Sequence, residues 1–569
     1  MKTLIGVGMG PGDPELVTMK AVRVLREADV VVVPVLGGAL LANPGEPGRA
    51  ESIVRAYVDD NRVKRLEFAL DDTGGVTPRR AAAWRDAAAA VAAEFDGGAV
   101  TVAFGTLGDP NLYSTFSYLA QTVRELVPDV QVATVAGITA MQDLASRSGI
   151  SLAEGTEPLT LVPLNASPEV LDQALAHGGA VVGYKLGAKA SPPPAALRAR
   201  LAAAGRLDGA VIGARLGLPG EHITPAGTLL PEPAPPAPPA PQATPAHISD
   251  IPYLSTLIVP ALRSPGAGSS LANRVVAATT RLYARGCHND ADGEAHEGRS
   301  GGERRGTVAF VGAGPGAADL LTLRGARTIR AADIVIWASS LVHPDVPRHA
   351  AAGAEIVDSA ALPMEGVLPY YERAARDGLR VARVHSGDPS LWGAIQEQLE
   401  QCERLGLATE IVPGVSSFTA VAARIGRELT IPEVAQSVIL TRLGGGKTPM
   451  PPGERVADFA RHGTTMALFL SAARSGQLQD ELLAGGYPAD TPCVVAFQVT
   501  WPDELILHCA LADLAGTIRG HKLWKHTLVL VGPGLAAGGS RSHLYHPGHF
   551  HGHRKADRAA RLELRGSRP

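Results

Sequence analysis

The stretch "GVGMGPGDPELVT" at Gly6–Thr18 places four glycines and two prolines within residues 6–14. A close copy, "FVGAGPGAADLLT", follows at Phe310–Thr322. Glycine lets the backbone turn sharply and approach a ligand where a side chain would clash. Because both copies come between a short apolar run and a segment with helical periodicity, each predicts a strand, a glycine-rich loop and a helix.

Two further motifs recur in the same order. The segment "GTLGDPNLYST" at Gly105–Thr115 returns as "HSGDPSLWGA" at His385–Ala394, and "VAGITAM" at Val135–Met141 returns as "VPGVSSF" at Val412–Phe418. Each copy follows a short run typical of buried parallel strands. The 569-residue chain is therefore predicted to be two related α/β units in tandem.

The repeats and the composition also predict the domain limits. These are a first unit at 1–262 with a proline-rich insertion at about 230–246, a linker at 263–305, a second unit at 306–540 and a histidine-rich tail at 541–569. The insertion is placed inside the first unit because Pro252–Pro260, which follows it, matches Lys525–Pro533 near the end of the second. The tail holds five of the 17 histidines and could bind a metal ion, but we assign no metal to the chain.

The composition excludes several classes of function. A net charge of −3 and an aromatic content of 4% argue against a nucleic-acid partner. We find no apolar run of about 18 residues that could cross a membrane and no pattern of a secretory signal. The four cysteines are scattered and form no CxxC pair, which is typical of reduced thiols. We therefore expect a cytoplasmic protein without a membrane partner.

The ligand of the repeated loops is not settled by glycines alone. All three motifs follow predicted parallel strands, and ligands of such sheets bind outside the carboxyl ends of the strands. The second copy satisfies the dinucleotide fingerprint G-x-G-x-x-A from Gly312, but Asp13 breaks it in the first copy. The acidic residues that should end the next strand, Asp29 and Asp333, come before it. We therefore do not expect a nicotinamide or flavin site.

The motifs "GxGPG", "GDP" and "V[PA]G[IV][TS]", in this order, resemble those of the tetrapyrrole methylases. The first unit, with "LGDPNLYSTFSYL", is similar to precorrin-2 C(20)-methyltransferases, and the second, with "VHSGDPSLWGAI" and "WPDE", to precorrin-4 C(11)-methyltransferases. The resemblance implies two α/β subdomains per unit, with a cleft between them for S-adenosylmethionine. It also implies methylation of precorrin-2 to precorrin-3A and of precorrin-4 to precorrin-5.

The resemblance implies cofactor contacts at the positions that match the family motifs. In the first unit these are Gly10, Pro11, Gly12, Gly108, Asp109, Pro110, Thr139, Ala140 and Tyr184. In the second unit they are Gly314, Pro315, Gly316, Gly387, Asp388, Pro389, Ser416, Ser417 and Leu470. The two aspartates could instead cap their loops, because Asp before Pro favours a turn. The residues that begin the helices could likewise act only as caps.

Substrate contacts are assigned from side-chain chemistry. Arg383, His385 and Arg442 are candidates for binding substrate carboxylates, which guanidinium groups hold with two hydrogen bonds; a structural ion pair is the equal alternative. Tyr113 and Trp392 could stack on a tetrapyrrole or pack in the core. We assign no catalytic residue, because transfer from a sulfonium methyl group requires positioning rather than a protein nucleophile.

The sequence leaves four points open. The substrates could be metal-free precorrins or the cobalt-containing precorrins of an anaerobic route. One unit could be a scaffold without activity, or the fold could methylate RNA or protein instead of a tetrapyrrole. The two units could pair within one chain as a pseudo-dimer, or the chain could form a homodimer.

Overall fold

The computed structural model describes residues 1–36, 47–69, 77–187, 191–229, 251–252, 254–263, 305–431, 434–445, 450–451 and 453–536. The proline-rich insertion, the histidine-rich tail and nearly all of the linker lie outside the described residues. The domain limits given above therefore stay predictions.

The first unit begins with an α/β subdomain. Its elements are β1 (Thr3–Gly8), α1 (Met19–Glu27), β2 (Val30–Leu36), α2 (Arg49–Val54), β3 (Val63–Phe68), α3 (Pro78–Asp96), β4 (Thr101–Thr106), α4 (Phe116–Leu126), β5 (Gln131–Val135) and α5 (Ala140–Ser148). The sheet is parallel, with the order β3-β2-β4-β1-β5. The three motifs follow β1, β4 and β5, so all of them leave the same edge of the sheet.

A second subdomain completes the first unit. Its elements are β6 (Leu159–Pro163), α6 (Pro168–Ala176), β7 (Ala180–Tyr184), α7 (Pro194–Ala203), β8 (Val211–Ala214), β9 (His222–Pro225), α8 (Ala226–Leu229) and β10 (Thr256–Val259). Strands β6 and β7 are parallel, and the remaining neighbours are antiparallel.

The second unit repeats this organisation. Its first subdomain contains β11 (Thr307–Gly312), α9 (Leu323–Ala331), β12 (Ile334–Trp337), β13 (Glu355–Asp358), α10 (Met364–Asp377), β14 (Arg380–His385), α11 (Gln396–Arg404), β15 (Ala408–Val412) and α12 (Ser417–Ile425). The strand order, β13-β12-β14-β11-β15, is that of the first unit shifted by ten strands. The second subdomain contains β16 (Val438–Arg442), α13 (Val456–Ala460), β17 (Thr465–Phe469), α14 (Ser475–Ala484), β18 (Pro492–Phe497), β19 (Leu505–Ala510), α15 (Leu514–Gly520) and β20 (Thr527–Val531). The α/β fold class predicted from the sequence is confirmed.

The second subdomains of the two units share one ten-stranded sheet, in the order β19-β18-β20-β17-β16-β6-β7-β10-β8-β9. The antiparallel pair β6–β16 joins the units, with Leu161 opposite Val438 and Leu159 opposite Leu440. All four of these side chains are fully buried. The two units thus pair within the chain, and the pairing of whole chains as a homodimer stays a prediction.

The core against this sheet is built by helices from both units. Helix α5 contributes Met141 and Leu144, and helix α12 contributes Phe418 and Val421; all four are fully buried and belong to one apolar cluster. Buried apolar surface of this extent contributes about 1.5–3 kcal/mol per large side chain. The two units therefore share a hydrophobic core.

We expect Phe418→Ala to destabilise both units together, because the side chain packs in the core that they share. A buried Phe→Ala change costs about 3–5 kcal/mol. Calorimetric unfolding of the full chain should show both units melting together at a lower temperature than in the wild type. The control is Leu126→Ala, which removes a side chain that is 51% exposed. Two separated transitions, of which only one moved, would contradict a common core.

Candidate active sites

Three loops meet at the carboxyl edge of each parallel sheet. They are the glycine loop (residues 9–18 and 313–322), the GDP loop (107–115 and 386–394) and the third loop (136–139 and 413–416). Their contacts are nearly identical in the two units. In both units the glycine and GDP loops are joined by a backbone hydrogen bond of 2.8 Å, from Gly108 N to Gly10 O and from Gly387 N to Gly314 O.

The glycines in these loops and at the ends of the preceding strands allow backbone atoms to come into contact. A Cβ atom on Gly8 would lie 2.6 Å from Gly137 N, and one on Gly312 would lie 2.5 Å from Gly414 N. Gly10 and Gly314 also have φ angles of +73° and +80°, which side chains rarely allow. The concentration of glycine seen in the sequence is thus required by the meeting of the loops.

The predicted contacts Gly12 and Gly316 lie against the second subdomain, and their contact with the cofactor stays a prediction. Gly12 lies against the backbone of Leu216, and a Cβ atom on Gly316 would lie 2.5 Å from Cδ1 of Trp501. Both neighbours follow a strand of the second subdomain. These glycines therefore let the glycine loop close against the other wall of the cleft.

The two aspartates of the GDP loops are 2% exposed and tie the loops together. Asp109 accepts hydrogen bonds from Asn111 N at 2.8 Å and from Gly137 N at 2.9 Å. Asp388 accepts equivalent bonds from Ser390 N at 2.9 Å and from Gly414 N at 3.0 Å. Burial raises the pKa of Asp109 to about 7 and that of Asp388 to about 6. The loop-capping role is present in the structure, and direct contact with the cofactor stays a prediction.

A cavity of about 860 Å³ lies beside the loops of the second unit. This volume is within the range of small-molecule sites, about 300–1,000 Å³. The predicted residues that line it are Pro315, Arg383, His385, Gly387, Asp388, Trp392, Ser416, Ser417 and Leu470. The structure therefore brings most of the predicted cofactor and substrate residues of this unit to one cavity, while Gly314, Gly316 and Pro389 lie in the adjoining loops.

Arg383 brings a cation to the wall of this cavity. Its Nη1 atom donates a hydrogen bond of 2.6 Å to Ser359 Oγ, and its Nε atom donates one of 3.2 Å to Gln398 Oε1. Within the described part of the chain no carboxylate pairs with it. Burial lowers the pKa of Arg383. A cation held by neutral groups is suited to an acidic ligand, because a carboxylate would offset the cost of burying the charge.

His385 lies at the same wall but in a neutral form. Burial and then the charge of Arg383 lower the pKa of His385 to about 3. Its buried Nε2 atom has no hydrogen-bond partner among the described residues. The side chain can therefore offer a hydrogen bond to a ligand at neutral pH, but it cannot offer a positive charge.

Aromatic pairs occupy matching positions in the two units. The rings of Trp392 and Phe469 are 4.5 Å apart, and those of Tyr113 and Tyr184 are 5.0 Å apart. The Tyr113 hydroxyl donates a hydrogen bond of 2.7 Å to the Gln436 carbonyl of the second unit. Trp392 lines a cavity and also lies at the contact between units, where its backbone N–H donates a hydrogen bond of 2.7 Å to the Ala153 carbonyl. The stacking of Tyr113 or Trp392 on a substrate stays a prediction.

Arg442 does not line the cavity. It ends β16, the strand at the boundary between the units, and its Nη1 atom donates a hydrogen bond of 3.0 Å to the Gly155 carbonyl of the first unit.

Thr139 and Ser416 directly precede α5 and α12, as a capping role requires.

Sequence reasoning missed several residues of the cavity wall. Gln498, Trp501, Lys525 and His526 line it from the second subdomain. Trp501 Nε1 donates a hydrogen bond of 2.9 Å to the Pro315 carbonyl, which closes the cleft beside the glycine loop. Two signals in the sequence point to these residues. Trp501 begins the "WPDE" motif, and Lys525 and His526 come directly before the last strand.

In the described part of the chain no three His, Cys, Asp or Glu side chains come together as metal ligands. The described helices include none with the length and apolar character needed to cross a membrane.

Comparison with known protein families gives two matches. The model of the Tetrapyrrole (Corrin/Porphyrin) Methylases matches residues 3–230 and again residues 307–515, together more than half of the chain. The chain therefore belongs to the tetrapyrrole methylases.

Each of three relatives matches a stretch of this chain about as long as one unit. A precorrin-4 C(11)-methyltransferase of Sinorhizobium sp is 43% identical over 242 residues, which are 42% of this chain and 95% of the relative. A cobalt-precorrin-4 C(11)-methyltransferase of Methanocaldococcus jannaschii is 41% identical over 225 residues, 40% of this chain and 86% of the relative. A siroheme synthase of Gluconacetobacter diazotrophicus is 33% identical over 239 residues, 41% of this chain and 50% of the relative.

Solved structures give matches of the same extent. A cobalt precorrin-4 methyltransferase is 39% identical and covers 41% of this chain and 96% of its own, with a TM-score of 0.39. A uroporphyrin-III C-methyltransferase from Thermus thermophilus, complexed with S-adenosyl homocysteine, is 27% identical and covers 40% of this chain and 92% of its own, with a TM-score of 0.34.

The lowered pKa of His385 predicts a pH-dependent loss of stability. Because the folded pKa of about 3 is below the ordinary value of 6.5, the unfolded chain binds the proton more readily. The stabilisation is complete above about pH 6.5 and is lost as the pH falls toward 3. Between pH 7 and pH 5, urea unfolding should show the wild type losing on the order of 1–2 kcal/mol more than His385→Gln.

The control for this measurement is His508→Gln, which removes an exposed histidine of β19. If the wild type and His385→Gln lose stability equally over this pH range, His385 is not neutral and buried as described.

Proposed function

We propose that the chain methylates two precorrins with S-adenosylmethionine. The first unit methylates carbon 20 of precorrin-2, giving precorrin-3A, and the second methylates carbon 11 of precorrin-4, giving precorrin-5. The observation that carries the proposal is that the same cluster of three loops is complete in both units. The C(11) activity is further supported by the relatives named for it, and the C(20) activity by the motifs of the first unit.

The cleft fits the cofactor that the family uses. When bound, S-adenosylmethionine supplies an electrophilic methyl group on sulfur. The backbone of the GDP loop is open at the position where a ligand could lie against it. A Cβ atom on Gly387 would meet only Val415 O, at 4.0 Å, and one on Gly108 would meet nothing within 4 Å.

The cavity wall of the second unit suits an acidic, flat substrate. Arg383 and Lys525 offer two cations for the carboxylates of a tetrapyrrole, and Trp392 with Phe469 offers aromatic surface. The wall holds the substrate in place and excludes water. Orientation alone can lower a barrier by about 7–11 kcal/mol. The group that removes the proton from the product is left unassigned.

A scaffold role for one unit has less support than this proposal, and the choice between two forms of the substrate is a detail within it. A scaffold role for one unit would not require both loop clusters to keep their glycines and aspartates. The choice between metal-free and cobalt-containing substrates is finer, because relatives are named for both forms of precorrin-4. Supplying the second unit with each form separately decides between them.

We expect Gly387→Leu to abolish C(11) methylation and to spare C(20) methylation, and Gly108→Leu to do the reverse. Each leucine would extend from the GDP loop into the open part of its own cleft. Mass spectrometry of the products formed from precorrin-2 and from precorrin-4, supplied separately, measures both activities.

The controls are Gly387→Ala and Gly108→Ala. They impose the same backbone strain, since both glycines have positive φ angles, of +69° and +68°, but they add only one methyl group. We expect the alanine variants to retain most of their activity. If either leucine variant lost both activities while still folded, two independent sites would be wrong.

A further inference from the structure

A buried glutamine of the first unit contacts the loops of the second. Gln142 lies in the first turn of α5 and has no exposed surface. Its Nε2 atom donates hydrogen bonds to Asp388 Oδ2 at 3.0 Å and to the Gly414 carbonyl at 2.6 Å. Asp388 belongs to the GDP loop and Gly414 to the third loop. One side chain of the first unit therefore binds both loops of the second unit at their junction.

The orientation of this amide is fixed by its partners. The backbone N–H of Thr139 is 2.9 Å from Gln142 Oε1 and can only donate, whereas the Gly414 carbonyl can only accept. A rotated amide would place a donor against a donor and an acceptor against an acceptor. The oxygen of the Gln142 side chain thus caps the N-terminus of α5, and the nitrogen donates hydrogen bonds to the second unit.

Among the described residues, the second unit has no equivalent of this contact. The position that matches Gln142 in α12 is Thr419, whose hydroxyl donates a hydrogen bond of 3.0 Å to the Ser416 carbonyl of its own unit. In the described structure the carboxylate of Asp109 is bound by donors of its own unit, Asn111 and Gly137. The contact therefore runs in one direction, from the first unit to the cleft of the second.

We infer that Gln142 is a positioning residue for the cofactor cleft of the second unit. It holds the junction of Asp388 and Gly414, beside the cavity that Asp388 and Ser416 line. This inference rests on the proposed function, because it assigns to that cavity the binding of S-adenosylmethionine. Burial raises the pKa of Asp388, and the hydrogen bonds from Ser390, Gly414 and Gln142 lower it.

The variant that isolates this contact is Gln142→Glu. The glutamate keeps an oxygen for the Thr139 N–H, so the start of α5 in the first unit is retained. It replaces the donor by a second carboxylate oxygen, which faces Asp388 and the Gly414 carbonyl. A buried acceptor without a donor is unfavourable, so at pH 8 the KM for S-adenosylmethionine in C(11) methylation should rise roughly tenfold. We expect the kcat of C(11) methylation to change less than about twofold. The KM for S-adenosylmethionine in C(20) methylation should also change less than about twofold, which corresponds to below half a kcal/mol.

A lower pH should rescue this variant. Two carboxyl groups in contact share a proton, because both cannot easily be charged, and the shared proton restores one of the two hydrogen bonds that the amide donated. The defect in KM should therefore shrink to within about threefold at pH 6, which corresponds to less than a kcal/mol. A loss of packing would not respond to pH in this way.

The control for a purely structural effect is Ser146→Ala. Ser146 lies one turn further along α5, is buried, and donates a hydrogen bond of 2.6 Å to the Ile411 carbonyl of the second unit. It touches neither loop. Its loss should lower the melting temperature without changing either KM. An equal KM for the wild type and Gln142→Glu at pH 8, or an equal rise in the KM of both reactions, would overturn the inference.

Calorimetric binding of S-adenosylhomocysteine separates this inference from the proposed function. In a Gly108→Leu background the titration reports the second unit alone. If the wild type methylated neither precorrin, the proposed function would fail, but weaker binding by Gln142→Glu at pH 8 would still support the inference. Equal binding by the two proteins would overturn it.

Discussion

Backbone-to-backbone contact at the edge of the parallel sheet is the constraint on which both sites depend. A side chain on Gly414 would overlap the Gly387 carbonyl, and one on Gly137 would overlap the Gly108 carbonyl. Only glycine allows the third loop to reach the GDP loop. The aspartate of the GDP loop can then accept the N–H of that same glycine, at 2.9 Å in the first unit and 3.0 Å in the second. The edge of each cleft is therefore made of backbone that these contacts hold in place.

The pairing of the units within one chain adds a second constraint. The antiparallel contact of β6 and β16 and the shared core of α5 and α12 hold the two clefts in a fixed relation. Segments of each unit also support the GDP loop of the other: Leu429 N donates to the Asn111 carbonyl at 2.9 Å, and Leu152 N donates to the Ser390 carbonyl at 2.8 Å. Duplication in one chain permits the two halves to differ, and the replacement of Gln142 by Thr419 at the matching position is such a difference.

The tandem repeat and the loop cluster could be predicted because glycine, proline and aspartate have strong local preferences. The order of the motifs was sufficient to place three loops at one sheet edge. The wall formed by Trp501 and Lys525 could not be predicted, because it comes from a second subdomain that folds over the first. The position of β16 at the boundary, which the sequence did not reveal, places Nη1 of Arg442 against the Gly155 carbonyl of the first unit, and its contact with a substrate stays a prediction. The contacts of Gln142 with the second unit carried no signal in the sequence, since Asp388 and Gly414 are more than 240 residues away.

The most direct test of the account is a calorimetric titration of the full wild-type chain with S-adenosylhomocysteine. Two complete loop clusters require two molecules bound per chain, and that stoichiometry is the expected result. A stoichiometry of one would contradict the central claim, because one of the two clefts, though built with the same contacts, would then not bind the cofactor.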